Sequence, residues 1–437
     1  ARWPSPRRSH AASGEAEGFL ATAATTTTGA PIFPEPWLPG MESQFYPTEC
    51  PAWALCPKTK DWDGTILHAT AGIGGMNGVS STFARAKANQ SPSLGVDFQV
   101  TSADRFALWS IDHKAMHLAR NERGRQVELV ADQTHAAMER LMLRQASTIH
   151  GGVGQAVGRI AAGGIAGSTI TLEDPQTAKN FEEGDVIYLS ANDGNTSTDT
   201  LLVGAGFTVV TIDPDAGTVL MSAGIVATFA AAAAGNYLFI DGDFQAGCAG
   251  YESWNPLVVP AASFFGVVRN TGNITRKAGI RKDVSATVGA VNKIRKALTA
   301  ASAAGSKFTH MFVDPEFYSL LDGELGNNVR YVDKPAISAD GGETTIGFTG
   351  IKFTQHGGAP VEIYPDAYAP LNVARGVNYG PAGFRWVSAG DFPMWLTPDG
   401  KPIMHSLEGT NAMEGRAGGY GNYVTKRPLD MGRFKLA

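Results

Sequence analysis

Residues 283–331 have the sequence DVSATVGAVNKIRKALTAASAAGSKFTHMFVDPEFYSLLDGELGNNVRY. This pattern predicts a helix that begins after Asp283, whose side chain can accept backbone N–H groups as an N-cap. The apolar residues that recur on one helix face are Val284, Val288, Val291, Ile294 and Leu298. Gly305 is predicted to end the helix, because glycine readily adopts the left-handed conformation found at helix C-termini.

The same stretch continues with a predicted strand and a second helix. The apolar run of the strand consists of Phe308, Met311, Phe312 and Val313. Asp314 and Pro315 then provide an N-cap and a proline at the first helical position. The apolar residues of the second helix are Phe317, Tyr318, Leu320 and Leu321. No catalytic signature interrupts this helix–strand–helix unit, so we expect it to serve packing.

The composition indicates a large protein with extensive contacts to other protein surfaces. A chain of 437 residues exceeds what a single core usually supports, so two or three compact units are expected. Charged residues make up 18% of the chain, against roughly 25% in a typical soluble domain. The net charge of −5 argues against a dedicated nucleic-acid binder, because phosphate neutralisation needs clustered Lys and Arg.

Cysteine content and hydropathy exclude several further classes. Cys50, Cys56 and Cys248 are too few and too unevenly spaced for a disulfide framework or a four-ligand zinc site. They fit a reducing compartment. The sequence has no run of ~20 apolar residues, so no membrane span is expected. The N-terminus lacks the apolar segment of a secretory signal.

Residues 1–60 are rich in proline and in large aromatic side chains, which predicts an extended arm. Prolines remove backbone donors and favour extended geometry, and bare aromatic side chains promote association. The candidate subunit-interface residues are Trp3, Phe33, Trp37, Phe45, Tyr46 and Trp53. The alternative is an arm that folds back on its own subunit.

Residues 61–121 are predicted to form an extended, two-stranded excursion. The alternating apolar positions of this region are Val96, Phe98, Val100, Phe106, Leu108 and Ile111. A lone hairpin is marginally stable in water, so we expect this one to rest on another surface. Glycines at its start are candidate hinges: Gly72, Gly74 and Gly75.

A long helix is predicted next, within a unit that spans residues 122–164. Its stripe consists of Val127, Val130, Thr134, Met138, Leu141 and Gln145. The charged residues Glu128, Asp132, Glu139, Arg140 and Arg144 lie off this stripe. Gly151 and Gly152 terminate the helix and are further candidate hinges.

Residues 165–245 change to short β-rich runs, which predicts a separate small domain, and a small antiparallel barrel fits this pattern best. The candidate strands are 169–172, 186–189, 207–210 and 219–221, separated by turn signals such as Asp193-Gly194 and Asp213-Pro214. After this domain, residues 246–437 contain the opening stretch, strands at 350–354 and 361–364, and a Gly/Pro-rich β region.

Several fragments imitate functional motifs, and each has a simpler structural explanation. The glycines of the 152–158 segment follow a helix instead of a strand, and their spacing differs from a dinucleotide fingerprint. Asp193, Asn195 and Asp199 resemble a calcium loop, but Gly204 stands where its bidentate Glu is needed.

The remaining candidates for chemistry are equally weak. His113 and His117 are four residues apart but lack the Glu of the metalloprotease pattern. Glu408 and Glu414 lie in a Gly-rich strand region, and Cys248 has no linked histidine signature. We therefore predict no catalytic, cofactor-binding or metal-binding residue.

Taken in order, these segments resemble the major capsid proteins of tailed bacteriophages, the HK-ninety-seven-type capsid fold. The matching motifs are Phe312-Val313-Asp314-Pro315-Glu316-Phe317, Gly350-Ile351-Lys352-Phe353 before Pro360-Val361-Glu362-Ile363, Met413-Glu414-Gly415-Arg416, Tyr420-Gly421 and Lys426-Arg427-Pro428. The resemblance covers about 350 of the 437 residues. The motifs are individually loose, and their order is the specific feature.

The resemblance implies an α+β phage capsid fold with five parts. These are an N-terminal arm (1–60), an extended loop (61–121), a peripheral domain with a long spine helix (122–164), the inserted β domain (165–245) and an axial domain with returning peripheral strands (246–437). It also implies a structural protein that self-assembles into hexamers and pentamers of an icosahedral shell around phage double-stranded DNA, held without sequence-specific binding.

The resemblance implies portal, scaffolding and decoration proteins as partners, with assembly in the host cytoplasm. Two alternatives stay open. An encapsulin-like nanocompartment shares the architecture, and a secreted β-rich hydrolase or adhesin is a different class, for which no acid pair or signal segment is found.

Overall fold

The structure is a computed structural model that describes residues 50–75, 77–115, 129–326, 351–354, 360–396, 404–406 and 410–437. Its architecture is α+β, as predicted, with two larger sheets, a closed barrel and a long hairpin among these residues. The predicted arm residues Trp3, Phe33, Trp37, Phe45 and Tyr46 lie outside the described residues, as does Tyr331 at the end of the opening stretch.

The helices and strands of the described residues are numbered along the chain. The helices are α1 (Pro51–Leu55), α2 (Phe83–Ala88), α3 (Leu129–His150), α4 (Ile225–Thr228), α5 (Tyr251–Trp254), α6 (Ile274–Ala278), α7 (Ala290–Ala303) and α8 (Pro315–Gly326). The first strands are β1 (Lys58–Thr59), β2 (Ile66–Gly74), β3 (Leu94–Thr101), β4 (Ala103–Asp112), β5 (Gly158–Ala166), β6 (Thr169–Leu172), β7 (Val186–Ser190), β8 (Phe207–Asp213), β9 (Thr218–Met221), β10 (Tyr237–Ile240), β11 (Ser263–Phe264) and β12 (Val267–Val268). The later strands are β13 (Ile280–Asp283), β14 (His310–Val313), β15 (Ile351–Thr354), β16 (Pro360–Pro365), β17 (Val373–Val377), β18 (Arg385–Ser388), β19 (Met394–Trp395), β20 (Met404–Ser406), β21 (Ala412–Val424) and β22 (Met431–Lys435).

One larger sheet is organised around β21, the longest strand described. Strands β18, β19, β20 and β4 all pair with β21, and β1 adds to β18. The long helix α3 packs against this sheet, where Gln145 Nε2 donates to the hydroxyl of Tyr423 at 2.8 Å. Leu143 and Ile149 of α3 are completely buried. The predicted long helix is confirmed, and the C-terminal strands return to pack against it.

The other larger sheet contains the predicted strand at its centre. Its order is β13-β22-β17-β14-β16-β15, with β14 parallel to β16 and antiparallel to β17. Met311, Phe312 and Val313 of β14 are completely buried. A continuous apolar run is typical of a strand covered on both faces. The predicted strands near 350–354 and 361–364 are confirmed as β15 and β16.

The predicted start of the helix in the opening stretch is wrong. Asp283 ends strand β13, which pairs in parallel with β22, and its carboxylate accepts from Ser285. Helix α7 begins seven residues later, at Ala290, and Val288 is exposed. The first backbone N–H groups of α7 donate to the carboxylate of Glu324, at 2.7 Å from Ala290 and 2.9 Å from Val291. The cap therefore comes from the next helix, 33 to 34 residues away.

The other predicted helix signals in this stretch are confirmed. Gly305 has φ +77°, and the N–H groups of Gly305 and Ser306 donate to the carbonyls of Ser302 and Ala301. This is the paired bonding of a Schellman motif. Asp314 Oδ1 accepts from the N–H of Phe317 at 2.8 Å and caps α8, in which Phe317 and Leu321 are buried and Leu320 is exposed.

The predicted excursion of residues 61–121 is present, but its strands pair differently. Strands β2 and β3 form an antiparallel hairpin, from Ile66 opposite Thr101 to Gly74 opposite Leu94. The predicted second strand, which holds Phe106, Leu108 and Ile111, is β4, and it joins β21 in the large sheet. The alternation of apolar residues identified β3 and β4, but it could not show which strand each of them would pair with.

The inserted β domain is a closed barrel with the strand order β10-β5-β6-β9-β8-β7. All four predicted strands are confirmed, and two more close the barrel. Strand β5 begins at Gly158, before the predicted boundary, and β10 pairs with both β5 and β7. The barrel has its own core, which includes the completely buried side chains of Ile170, Phe181, Ile187, Val219 and Phe229. Across the described ranges, no helix is long and apolar enough to span a membrane.

Candidate assembly surfaces

The base of the β2–β3 hairpin is anchored in the body of the chain. Phe98 is completely buried, with its ring 5.1 Å from that of Trp254 and 6.4 Å from that of Phe264. The backbone N–H of Gln99 donates to the carbonyl of Phe265, and further along the hairpin, near its turn end, Arg276 donates to the carbonyl of Ile73. The expectation that this hairpin rests on another surface is met at its base by the chain itself.

The tip of the hairpin exposes apolar side chains. Phe83, the first residue of α2, is 83% exposed, Val79 is 88% exposed and Leu94 is 60% exposed. Exposed apolar side chains on an extended element are candidates for an association surface. We call Val79, Phe83 and Leu94 the hairpin tip. The sequence analysis did not identify these three residues, because the exposure of an apolar side chain depends on whether the rest of the fold covers it.

Of the six candidate interface aromatics, Trp53 is the one that lies among the described residues. It is buried, and its ring lies 5.5 Å from that of Trp386 and 6.0 Å from those of Phe392 and Tyr423. Trp53 therefore belongs to the core of its own chain, which corrects its assignment to a subunit interface. Residues 50–55 are packed against the large sheet and do not form part of a free arm.

The candidate hinge glycines have different environments. A side chain at Gly72 or Gly75 would meet no atom within 4 Å, and the β2–β3 register shifts between Gly72 and Gly74. A Cβ at Gly152, in contrast, would lie 2.2 Å from Asn195 Oδ1. Gly152 thus has a packing role against the barrel. Gly418, Gly419 and Gly421 lie inside β21, where a Cβ would come within 3 Å of neighbouring residues.

Charged residues of α3 connect this helix to the barrel. Arg140 contacts Asp185 at 2.6 Å and Glu182 at 3.0 Å, and Arg144 contacts Asp243 at 3.3 Å. Burial lowers the pKa of Arg144 to about 10, although the Asp243 charge opposes this shift. The sequence analysis correctly placed both arginines off the apolar stripe of the helix. The helix face that carries them contacts acidic residues of the barrel domain.

A buried ionic group ties α5 to the second large sheet. The Glu252 carboxylate accepts hydrogen bonds from Arg375 of β17 and Arg433 of β22, and Arg375 also donates to the Asn255 carbonyl at 3.1 Å. Burial acts to raise the pKa of Glu252, but the two guanidinium groups lower it overall. No sequence signal could reveal this group, because Glu252 lies 123 and 181 residues from its two arginine partners.

The sequence segments that imitate functional motifs have structural roles, as far as they lie among the described residues. A Cβ at Gly154 would lie 2.0 Å from the Asp193 carbonyl, so the 152–158 glycines allow close packing on the barrel. The Asp193 carboxylate accepts from Asn195, and that of Asp199 accepts from the N–H of Thr196. Glu414 pairs with Arg416. His117 and Glu408 lie outside the described residues.

Comparison with solved structures establishes the fold. The chain is similar to a chain of the cyanophage A-1(L) capsid, with a TM-score of 0.58 and 9% sequence identity, over 94% of this chain and 99% of that chain. This chain has the phage capsid fold. The fold predicted from the order of sequence segments is therefore confirmed. No protein-family model and no curated protein matches the chain.

Other capsid-fold structures are also similar to the chain over most of its length. The capsid of the native GTA particle gives a TM-score of 0.48 at 8% identity, over 96% of this chain and all of that chain. The holo-SrpI encapsulin complex from Synechococcus elongatus PCC 7942 gives a TM-score of 0.44 at 7% identity, over 95% of this chain and 96% of that chain.

Proposed function

We propose that the chain is a phage major capsid protein, which self-assembles into hexamers and pentamers of an icosahedral shell around double-stranded DNA. The observation that carries the proposal is the capsid fold, shared over nearly the full length of both this chain and the cyanophage A-1(L) capsid chain. Because the likeness covers so much of the chain, little of it remains to carry a separate activity. The chain acts as a structural protein without enzymatic activity.

The hairpin tip supports this proposal as a contact between subunits. Its base is held by Phe98 and its tip presents Val79 and Phe83 to the surroundings. Obligate interfaces bury about 2,000–5,000 Å², and apolar burial contributes ~25 cal/mol per Å². Many modest contacts of this kind, repeated around a shell, stabilise it without a strong individual site. Gly72 and Gly75, which have open space around them, allow the hairpin to adjust to different shell positions.

The surroundings of the protein follow from the same proposal. The shell is part of the virion and assembles in the cytoplasm of the bacterial host, with portal, scaffolding and decoration proteins as partners. The net charge of −5 suits a wall that encloses DNA without gripping it. Residues 1–49 act as a brace across neighbouring subunits, and their removal is expected to leave soluble capsomers that do not close into normal shells.

Negative-stain microscopy of the purified full chain tests the proposal. Closed polyhedral shells are the expected result, and a preparation of dispersed monomers would contradict it. Particles isolated from the infected host are expected to contain DNA. Shells from a host cell that enclose a cargo protein and no DNA would favour an encapsulin-like nanocompartment instead.

Deletion of residues 1–49 tests the brace while keeping Trp53 in the core. Capsomers without closed shells are expected by microscopy and analytical ultracentrifugation. Normal shells from this variant would refute the bracing role, without affecting the proposal that the chain forms shells.

A further inference from the structure

Three potential metal ligands converge inside the chain from distant segments. Cys50 directly precedes α1, His150 is the last residue of α3, and Asp366 directly follows β16. Cys50 Sγ lies 2.9 Å from Asp366 Oδ2, and His150 Nε2 lies 3.1 Å from the same oxygen. All three ligand atoms lie within 4.8 Å of one another. This cluster has no local signal in the sequence, since its members are separated by 100 or more residues.

The histidine of this cluster lacks the hydrogen bonds that a buried imidazole normally makes. His150 is 4% exposed, and neither of its ring nitrogens has a hydrogen-bond partner of acceptable geometry among the described residues. Nε2 is close enough to Asp366 for a charge contact but is not aligned for a hydrogen bond. Buried polar groups are almost always satisfied, so an unsatisfied imidazole points to a missing partner.

The donor types and distances fit a thiophilic divalent cation. Zinc takes thiolate sulfur at ~2.3 Å, imidazole nitrogen at ~2.0 Å and carboxylate oxygen at ~2.0–2.2 Å. Ligand atoms already within 4.8 Å of one another therefore need only small movements to surround one ion. Magnesium and calcium prefer oxygen ligands, so a Cys–His–Asp set favours zinc over them.

The surroundings supply a solvent position and support for the ligands. His150 lines a cavity of about 540 Å³, which we take as the source of a water ligand at the fourth coordination position. The Asp366 carboxylate is oriented by the N–H groups of Ala52 and Tyr368, at 3.1 and 2.9 Å. Hydrogen bonds of this kind, from groups that do not bind the metal themselves, hold a ligating carboxylate in its orientation.

The charges around the site include a helix C-terminus, which favours a cation, and the ammonium group of Lys179, which opposes one. His150 lies at the C-terminus of the 22-residue helix α3, where the helix dipole favours positive charge. The neighbouring Lys179 is held by the carbonyl of Ala367 and by the ring of Tyr368, 4.8 Å from its Nζ.

We propose that Cys50, His150 and Asp366 form a zinc site, with water as the fourth ligand. On binding, the thiol proton of Cys50 is released to solvent and a sulfur–metal bond replaces the bond from the thiol to Asp366. The ion joins the segment that follows residues 1–49 to the end of α3 and to the strand β16. This inference stands apart from the proposed shell function, because it concerns the interior of one subunit.

Metal titration of the full chain tests the site. The protein is stripped with chelator under reducing conditions and loaded with Zn²⁺, or with Co²⁺ as a spectroscopic probe. One equivalent per chain is expected, together with thiolate-to-cobalt charge-transfer absorption. Cys50→Ser and Asp366→Asn are each expected to weaken binding by more than about tenfold. Cys248→Ser is the matched control, because Cys248 is also a buried free thiol, and it should leave binding unchanged.

X-ray absorption spectroscopy of the zinc-loaded wild-type chain keeps the test decisive if a variant fails to fold. One sulfur and three nitrogen or oxygen ligands are expected around the ion. The proposal is overturned if the wild type binds no stoichiometric zinc, if the ion has no sulfur ligand, or if Cys248→Ser abolishes binding while Cys50→Ser retains it.

Discussion

The barrel of residues 158–240 and the β2–β3 hairpin are both β elements attached to the body of the chain. They differ in where their apolar side chains are buried. The barrel closes on itself and buries Phe181, Phe207 and Phe229 in its own core. The hairpin has two strands and cannot enclose a core. It buries Phe98 against the body and leaves Phe83 exposed at its tip.

If the chain forms shells as proposed, this difference separates the region that stabilises the fold from the region that makes contacts between chains. Closure removes free strand edges, which otherwise offer unpaired backbone groups to other chains. A two-stranded hairpin keeps its edges and is marginally stable unless it packs on something else. We therefore expect substitutions in the barrel to affect folding, and substitutions at the hairpin tip to affect contacts between chains.

The largest effect is expected for Phe207→Ala in the barrel. Phe207 is 2% exposed, and its ring lies 5.2 Å from that of Phe229. Removal of a buried phenyl ring typically costs about 3–5 kcal/mol of unfolding free energy. Denaturant unfolding, with hydrogen exchange of the barrel peptides, measures this loss. Phe83→Ala is the matched control, and an equal destabilisation by both variants would remove the contrast between the two regions.

A slightly smaller loss is expected for Phe98→Ala at the hairpin base. The cost is about 3 kcal/mol, at the low end for a buried phenylalanine, because the hairpin can detach and relieve part of the cavity. Hydrogen exchange should accelerate across β2 and β3 while the barrel stays protected. Faster exchange in the barrel as well would show that the two regions are coupled.

The hairpin tip is expected to contribute little to folding but strongly to assembly. The double variant Val79→Ser/Phe83→Ser should change the free energy of unfolding by no more than about 0.5 kcal/mol, because both side chains are exposed. The yield of closed shells, counted by microscopy, should fall. Val203→Ser in the barrel is the matched control, since Val203 is 96% exposed. If the control lowers the yield equally, the tip has no special role.

A loss of unfolding free energy smaller than those of the two phenylalanine variants is expected outside both regions. Glu324→Ala removes the carboxylate that caps α7 and should cost about 1 kcal/mol. Asp283→Ala, at the cap position predicted from sequence, should have no measurable effect on α7. The reverse ranking of these two variants in thermal unfolding would restore the sequence-based assignment.

The same cap gives a pH dependence of known sign. Hydrogen bonds from the N–H groups of Val291 and Ala290 lower the pKa of Glu324. The stability that it contributes is fully present above the ordinary glutamate pKa of ~4.3 and is lost as the pH falls through the lowered value. The difference between wild type and Glu324→Ala should therefore disappear in acid. A difference that persists there would assign the effect to lost packing.

Much of the secondary structure could be predicted, because its signals are local. The four predicted barrel strands are short runs of β-forming residues bounded by turn signals, and all four are present. Strand β5 was missed since its sequence, GRIAAGGIA, is dominated by glycine and alanine and lacks a strong alternation. Strand β10 was missed because its four residues stand at the end of an alanine-rich run, although Gly235-Asn236 and Asp241-Gly242 bound it.

The candidate surfaces were less predictable than the fold. Large aromatic residues near the N-terminus suggested contacts between subunits, but Trp53 packs with Trp386 in its own chain. The same residue type suits a core and an interface, so composition cannot distinguish them. Arg140 and Arg144 gave no sign of contacting the barrel, because their acidic partners lie 42 to 99 residues further along.

The sequence by itself determined the features that a few neighbouring residues control. Asp314-Pro315 starts α8, Gly305 ends α7, and the apolar run before Asp314 forms a buried strand. Tertiary structure alone decided that Asp283 joins a strand beside β22, that Glu324 caps α7, and that β4 pairs with β21. The physical reason is range: a cap or turn depends on adjacent backbone groups, whereas pairing between distant segments depends on which complementary faces the whole fold can bury together.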